Sequence, residues 1–290
     1  MINLDVIIVK NYYINKEYIL IEYLMNDLKY SHKEAKKKLT NGNILVNQKK
    51  VTQYNFKLKI NDVITITSFN SKLNDNIDII YEDKDIIVVN KPSNLLTIST
   101  TKEKEKTLYH IVSAYLKKLN KNAKVFIIHR LDKETSGIVI FAKNEKTKKL
   151  YQDNWDSLVK YRGYVALVEG IVKKENDIII QYLKENENFY VHPTNSKLGK
   201  KAITHYKVLK TNQQYSLLDI EIKTGRKNQI RVAMQSIGHP IIGDQKYGYD
   251  NKFTNIFGLH AYKLVIWNPV TKRIMTFQTK IPATFEKLTN

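Results

Sequence analysis

The chain has 290 residues, no Cys, 10 Gly and 5 Pro, and 42% of its residues are hydrophobic. That excludes a disordered or collagen-like chain, a disulfide scaffold, a thiolate zinc site and a cysteine nucleophile. Lys and Arg number 48 against 28 Asp and Glu, a formal charge of +20, so the expected partner is a polyanion, above all nucleic acid.

No apolar run approaches the ~20 residues of a membrane span. The opening MINLDVIIVKNYY lacks the basic start, apolar centre and cleavage site of a secretory signal, and the expectation is a cytoplasmic protein. Only five of the 48 basic residues are Arg: Arg130, Arg162, Arg226, Arg231 and Arg273. In so Lys-rich a composition, a retained Arg marks a place where its planar, bidentate fork is needed. The length suggests two domains, divided at residues 1–72 and 73–290.

Tyr18, Leu20, Ile21, Leu24, Met25 and Leu28 recur at helical spacing. Ser31-His32-Lys33-Glu34 is a capping box that opens a second helix, which carries Lys33, Lys36, Lys37 and Lys38 and ends at Thr40-Asn41-Gly42, where Gly42 suits a left-handed cap. Short strands follow at Ile44–Asn47 and Val63–Ile66, with Asn61-Asp62 as a turn. Residues 67–78, polar and without apolar periodicity, read as a linker. Beyond it strands dominate: 77–81, 86–90, 125–128, 138–142, 164–168, 178–180, 203–210, 215–222, 259–267 and 274–281. Helices are fewer: 108–119, 144–151 or beyond, and 228–237. The expected architecture is α+β, a small αβ domain followed by a large, mainly antiparallel sheet domain.

The N-terminal stretch, with its helix pair followed by LTNGNILVNQKKVTQYNFKLKINDVITI, resembles an S4 RNA-binding domain. It holds 12 Lys against 6 acidic residues over 1–72, which suits RNA contact through Lys33, Lys36 and Lys37.

The most informative segment is His129-Arg130-Leu131-Asp132-Lys133-Glu134-Thr135-Ser136-Gly137, a loop between two apolar strands. It resembles the signature loop of RluA-type pseudouridine synthases, HRLD-x-x-T-S-G. Three more segments follow the family's order. Asn90-Lys91-Pro92 resembles KP-x-G, with Asn94 in place of Gly. Arg162-Gly163-Tyr164-Val165-Ala166-Leu167-Val168-Glu169-Gly170 resembles K-x-Y-x-A-L-V-x-G. Thr224-Gly225-Arg226-Lys227-Asn228-Gln229-Ile230-Arg231-Val232 resembles T-G-R-T-H-Q-I-R-V-H and runs on to Gly238-His239-Pro240-Ile241-Ile242-Gly243-Asp244 and Tyr247-Gly248. Two family histidines are Asn228 and Ala233 here. The resemblance implies Asp132 as the essential acid, Tyr164 as the active-site tyrosine and Arg231 as the cation beside Asp132. RNA contacts are expected at Arg130, His129 and Arg226, with Arg130 filling by stacking the space that the extruded base vacates.

Pseudouridylation breaks a uridine's N1–C1′ bond, rotates the base and rejoins it through C5. No electrons and no phosphate are transferred, so neither a redox cofactor nor a Walker loop is needed. The expectation is no cofactor and no metal, since the seven His are scattered. The carboxylate either attacks C1′ or C6 or takes the C2′ proton. A pocket would raise its pKa, so a nearby cation must keep it charged. The Arg231 fork is expected to hold it in two parallel hydrogen bonds. Asp62, Asp83 and Asp85 read as solvated turn residues, Asp244 as a structural turn, and the Tyr other than Tyr164 mostly as strand and surface fillers.

The expected substrate, by analogy with S4-bearing members, is ribosomal RNA of the large subunit, and the expected state a monomer. Two readings compete: an inactive relative that only binds RNA, and a glycosylase that cuts the same bond without rejoining it. Intact Asp132, Tyr164 and Arg231 oppose the first. Product mass separates the second, because only an isomerase leaves it unchanged.

Overall fold

A computed structural model describes residues 7–40, 42–47, 49–68, 71–74, 77–99, 107–249 and 255–290. Asn41 of the expected cap lies outside them. The first unit comprises β1 (Ile7–Tyr13), β2 (Tyr18–Ile19), α1 (Leu20–Asn26), α2 (His32–Thr40), β3 (Ile44–Val46), β4 (Lys49–Lys50), β5 (Lys57–Leu58) and β6 (Val63–Ser68). Its main sheet runs β1-β6-β3-β4, and β2 pairs with β5. Helical spacing extends back to Tyr18, yet α1 starts at Leu20, because Tyr18 and Ile19 pair with Leu58 and Lys57. Both helices turn their apolar positions inward: Leu20, Leu24, Ala35 and Leu39 pack with Ile44, Val46, Ile64 and Ile66.

The capping box forms as the sequence reads. The Ser31 N–H and hydroxyl donate to Glu34 Oε2 at 2.9 and 2.7 Å, and the Glu34 N–H returns to Ser31 Oγ at 3.3 Å. Gly42 takes φ +67° and Asn61 φ +71°, left-handed positions that favour these residue types.

The second unit adds β7 (Ser71–Asn74), β8 (Ile77–Glu82), β9 (Ile86–Lys91), α3 (Leu108–Leu119), β10 (Phe126–Ile127), β11 (Ser136–Ala142), α4 (Glu145–Asp153), α5 (Trp155–Leu158), β12 (Val159–Glu169), β13 (Asn176–Glu185), β14 (Val191–Thr194), β15 (Lys200–Thr211), β16 (Tyr215–Ile222), α6 (Gln229–Ser236), β17 (Leu259–Asn268), β18 (Arg273–Gln278) and α7 (Ala283–Leu288). The path β14-β13-β15-β16-β12-β17-β11-β9-β8-β7 threads its sheet, with β10 on β11 and β18 on β17. The pairing is antiparallel except where β11 meets β17 in parallel, at Ser136–His260 and Gly137–Ala261.

The expected linker is corrected here. Residues 71–74 form β7, paired with β8 at the sheet edge, so a division at 72/73 passes through a strand. An edge strand is held by backbone hydrogen bonds on one side and needs no apolar alternation, which is why the polar sequence concealed it. The short edge strand β14 escaped the same way. Asp83 and Asp85 are not merely solvated either. Asp83 Oδ1 accepts the Asp85 and Ile86 N–H groups at 2.7 Å, and Asp85 is buried, accepting from Asn144 Nδ2 at 3.1 Å.

The run Ile138–Ala142 is apolar at every position because both faces of β11 are covered. Ile138, Ile140 and Ala142 join one core cluster with Tyr151, Ile266 and Phe277. Val139 and Phe141 join another with Leu108, Val112 and Leu116 of α3. Each such aliphatic side chain, fully buried, contributes roughly 1.5–3 kcal/mol. Gly137, where the signature loop enters β11, has φ +120° and abuts the Ala261 carbonyl, leaving no space for a Cβ. Arg273, the Arg outside the quoted motifs, lies over the Tyr12 ring at 5.7 Å and joins the two units.

Candidate active site

Three adjacent strands order the site: β11 receives the loop 129–135, β17 lies beside it, and β12 carries Tyr164. The turn after β16 brings 224–228 to the same place before α6 begins. A cavity of about 480 Å³ opens there. Its walls include Arg130, Asp132, Trp155, Tyr164, Lys227 and Arg231.

The loop bearing Asp132 is tied down at many points. Lys91, 0% exposed, donates from Nζ to the carbonyls of Pro92 at 3.0 Å, Leu95 at 2.7 Å and Lys133 at 2.9 Å. Burial pulls its ammonium down to about 7, against the opposing pull of Glu134 and Asp132. Asn94 keeps the turn after Pro92 at φ +60°, so it serves there in place of glycine. The Ser93 hydroxyl donates to the Glu134 carbonyl at 2.5 Å, and the Thr97 hydroxyl to that of Leu131 at 2.9 Å. At the loop's end Ser136 Oγ lies 2.8 Å from His260 Nδ1, whose Nε2 is 2.7 Å from Thr279 Oγ1.

His129 lines the cavity, but its Nε2 accepts the Ile140 N–H at 3.1 Å and its ring stacks on Trp155 at 4.8 Å. Burial, reinforced by Arg162, pulls the imidazole down to about 4. A neutral ring carries no charge to a phosphate, which limits the expected RNA contact to its remaining cavity-facing edge. Trp155 itself was not singled out from the sequence; it lies just past the helical stretch read there and carries no motif.

Asp132 keeps 30% of its side chain exposed. Burial in the wall pushes its carboxyl above the usual range, Arg231 pulls it down, Glu134 pushes it up, and Arg130 and Lys227 lower it. Burial pushes the Tyr164 hydroxyl up to about 12, Arg162 opposing and Asp132 adding to the rise. The phenol is therefore a neutral donor near pH 7. Arg162 donates from Nη2 to the Lys223 carbonyl at 2.9 Å and packs over Gly225, where a Cβ would lie 2.7 Å from its Nη1.

Arg231 departs from expectation. Its fork does not hold Asp132. Nε and Nη2 donate in parallel, both at 2.7 Å, to the two oxygens of Asp244, which is 0% exposed. The guanidinium lies near the rings of Tyr247 and Phe257 at 5.1 and 5.2 Å. Nη1 approaches Glu134 at 3.6 Å and Asp132 at 3.8 Å. These are ion-pair distances, longer than hydrogen bonds. Asp244 Oδ1 also accepts the Lys246 and Tyr247 N–H groups at 3.0 Å, so the expected structural turn is at the same time the mount for the cation. Tyr247 is likewise more than a filler: it is buried, and its hydroxyl accepts from Val191 N–H and from Asn228 Nδ2, both at 3.0 Å. Asn228, at φ +54°, thus has its own anchoring contact, and Ala233 packs in the core beneath α6.

Gln229, missed as a functional residue although it stands in the quoted motif, organises the 224–228 turn. Its amide oxygen accepts from Thr224 Oγ1 at 2.8 Å and Arg226 N–H at 3.1 Å, while its nitrogen donates to the Ile203 carbonyl at 3.0 Å. Arg130 and Arg226 are exposed on the cavity wall. Lys33, Lys36 and Lys37 are exposed on α2, and none of them lines the cavity.

Such a site is a carboxylate held beside a fixed cation and a neutral phenol, in a basic cavity large enough for a base. The RNA pseudouridylate synthase family profile matches residues 85–236, and the chain belongs to that family of RNA-modifying isomerases. It is 30% identical to ribosomal large subunit pseudouridine synthase D of Buchnera aphidicola from Acyrthosiphon pisum, over 89% of this chain and 89% of that protein. It is 31% identical to the uncharacterized RNA pseudouridine synthase YhcT of Bacillus subtilis, over 73% of this chain and 71% of that one. The structure of human RNA pseudouridylate synthase domain containing 1 shares the fold, with a TM-score of 0.59 at 22% identity over 74% of this chain and 87% of that one. Among the described residues no helix is long and apolar enough to cross a membrane.

Proposed function

We propose that this enzyme isomerises uridines of large-subunit ribosomal RNA, in the cytoplasm and as a monomer, with the Asp132 carboxylate as the essential catalytic group. The observation that carries the reading is Asp132 itself, in the cavity wall with Nη1 of an anchored Arg231 at 3.8 Å. The anion is needed to act at the sugar or the base, and Arg231 sustains it against the burial that would protonate it. Tyr164 supplies a flat face for the detached uracil and a hydroxyl for proton transfer. Arg130 and Arg226 hold the flanking backbone, since a base must leave its stack to react.

The test is purified protein on transcribed large-subunit ribosomal RNA, followed by nucleotide-resolution pseudouridine mapping and mass measurement. Discrete uridines should convert with no change in RNA mass. A mass loss of one uracil less the water that replaces it at C1′ would replace the isomerase with a glycosylase, and absence of conversion would remove ribosomal RNA as the substrate.

The N-terminal unit serves, in this reading, as an S4-type RNA-binding module. Its support is the capped helix α2, which presents Lys33, Lys36 and Lys37 to solvent. Replacing all three with Gln should lower the log–log salt slope of RNA binding by roughly 2, at about 0.7–0.9 per phosphate contact. The rate at saturating RNA should not change. An unaltered slope would make the unit packing rather than a binding surface.

A further inference from the structure

The turn between β13 and β14 carries an aromatic residue that neither the chemistry above nor the core explains. Phe189 is 69% exposed and sits at φ +58°, a left-handed conformation rare for a bulky side chain and costly wherever it persists. Asn or Gly would occupy it with less strain, and Asn186 and Asn188 stand close by in the same turn.

The turn is rigid. Asn186 Oδ1 accepts the Asn188 and Tyr190 N–H groups at 3.1 and 2.9 Å, and the Phe189 N–H donates to the Asn186 carbonyl at 2.9 Å. It is also fastened to the site. Lys246 Nζ donates to the Phe189 carbonyl at 2.7 Å. Tyr190 packs on Tyr247 at 4.8 Å, the same ring that lies by Arg231. Lys227, a cavity-wall residue paired with Glu185, places its ammonium over the Phe189 ring at 5.4 Å. A solvent-exposed ring is thus fixed next to the cavity wall, with Lys227 over it and Lys246 on its backbone carbonyl.

We propose that Phe189 is a stacking platform for an unpaired nucleobase of the substrate RNA close to the target uridine, with Lys227 and Lys246 beside it for the adjoining phosphates. Stacking on an aromatic face is tolerant of base identity, and RNA loops offer splayed bases to such faces. This role would fix which neighbours of the uridine bind well, and it rests on the reading of RNA as the substrate of this cavity.

The test uses the full chain and the transcribed large-subunit ribosomal RNA that wild-type protein converts. Phe189→Asn suits the left-handed backbone and removes the ring; Phe189→Trp keeps a stacking face. Phe189→Asn should retain wild-type thermal stability and raise the half-saturating RNA concentration roughly tenfold, the scale of one lost stack. Its single-turnover rate at saturating RNA should stay close to wild type, and Phe189→Trp should bind like wild type. A photoreactive phenylalanine analogue at 189 should crosslink to a nucleotide neighbouring the converted uridine. Half-saturation unchanged in Phe189→Asn, or a crosslink to distant RNA or to protein only, overturns the proposal. Wild-type conversion, measured in the same reactions, shows independently whether the enzyme acts on this RNA.

Discussion

Asp132→Asn reduces pseudouridine formation by at least ~10³-fold, the range for losing a positioned acid–base or nucleophilic group, and leaves RNA affinity within a few-fold. The structure makes this substitution unusually clean. The Arg231 fork is satisfied by Asp244, so removing the Asp132 charge orphans no buried cation. Nor, among the described residues, is Asp132 buttressed by side-chain hydrogen bonds whose loss would unravel the loop; the loop hangs on Lys91, Ser93 and Thr97. The variant should therefore melt with the wild type. It should bind RNA at least as well, because a negative charge has left a basic cavity. Glu134→Gln is the control. Its carboxylate is nearer to Arg231 than Asp132 is, at 3.6 Å, yet it is not part of the cavity wall, and turnover should stay within about tenfold of wild type. Single-turnover assays on the converted ribosomal RNA measure both. Residual turnover in Asp132→Asn, or a larger loss in Glu134→Gln, would move the catalytic carboxylate out of Asp132.

What could be read in the sequence follows the range of each interaction. The capping box spans four residues, and the sequence contains all of it. The run 138–142 declares a doubly covered strand because every position must be apolar. The signature loop is local too, and so Asp132 was found. Arg231 is legible as the cation beside Asp132, but its two parallel hydrogen bonds go to another acid. That acid, Asp244, lies 13 residues on and reads locally as a turn, which it also is. Only the fold shows that the two N–H groups of that turn and the fork of Arg231 converge on one carboxylate. Lys91 was visible as a motif letter, but its contact with the Lys133 carbonyl spans 42 positions. Trp155 and Phe189 gave no signal, because their significance lies in what is brought beside them: an imidazole in one case, two lysines in the other.

Arg231 carries the second large effect, and the geometry changes what its variants should do. In Arg231→Lys a single ammonium faces two demands. Asp244 is fully buried and must be neutralised, while Asp132 needs a cation on the cavity side. One flexible stem cannot reproduce a fork that spends two nitrogens on one acid and aims the third at another. The ammonium should settle on Asp244, and turnover should fall on the order of 10²-fold, the scale of a ~1 Å misplacement. RNA affinity should hardly change. In Arg231→Met the buried Asp244 carboxylate loses its partner outright, a loss of about 3–5 kcal/mol in pairs of this kind, so the variant should melt well below wild type. Asp132 also loses the group that most lowers its pKa. Its pKa, already raised by burial, rises further, and the acidic limb of the pH–rate profile moves to higher pH, because activity is lost as pH falls through that value. Stability and catalysis can then be separated by adding Asp244→Asn to Arg231→Met. The amide removes the unpaired charge and still offers an oxygen to the Lys246 and Tyr247 N–H groups, so much of the melting temperature should return. Turnover at saturating RNA should not, and the pH limb should stay displaced, since Asp132 still faces no guanidinium. Recovery of rate together with stability would reduce Arg231 to a structural strut. Recovery of stability alone places its effect on the charge of Asp132, through a nitrogen that Asp244 holds in position without touching the substrate.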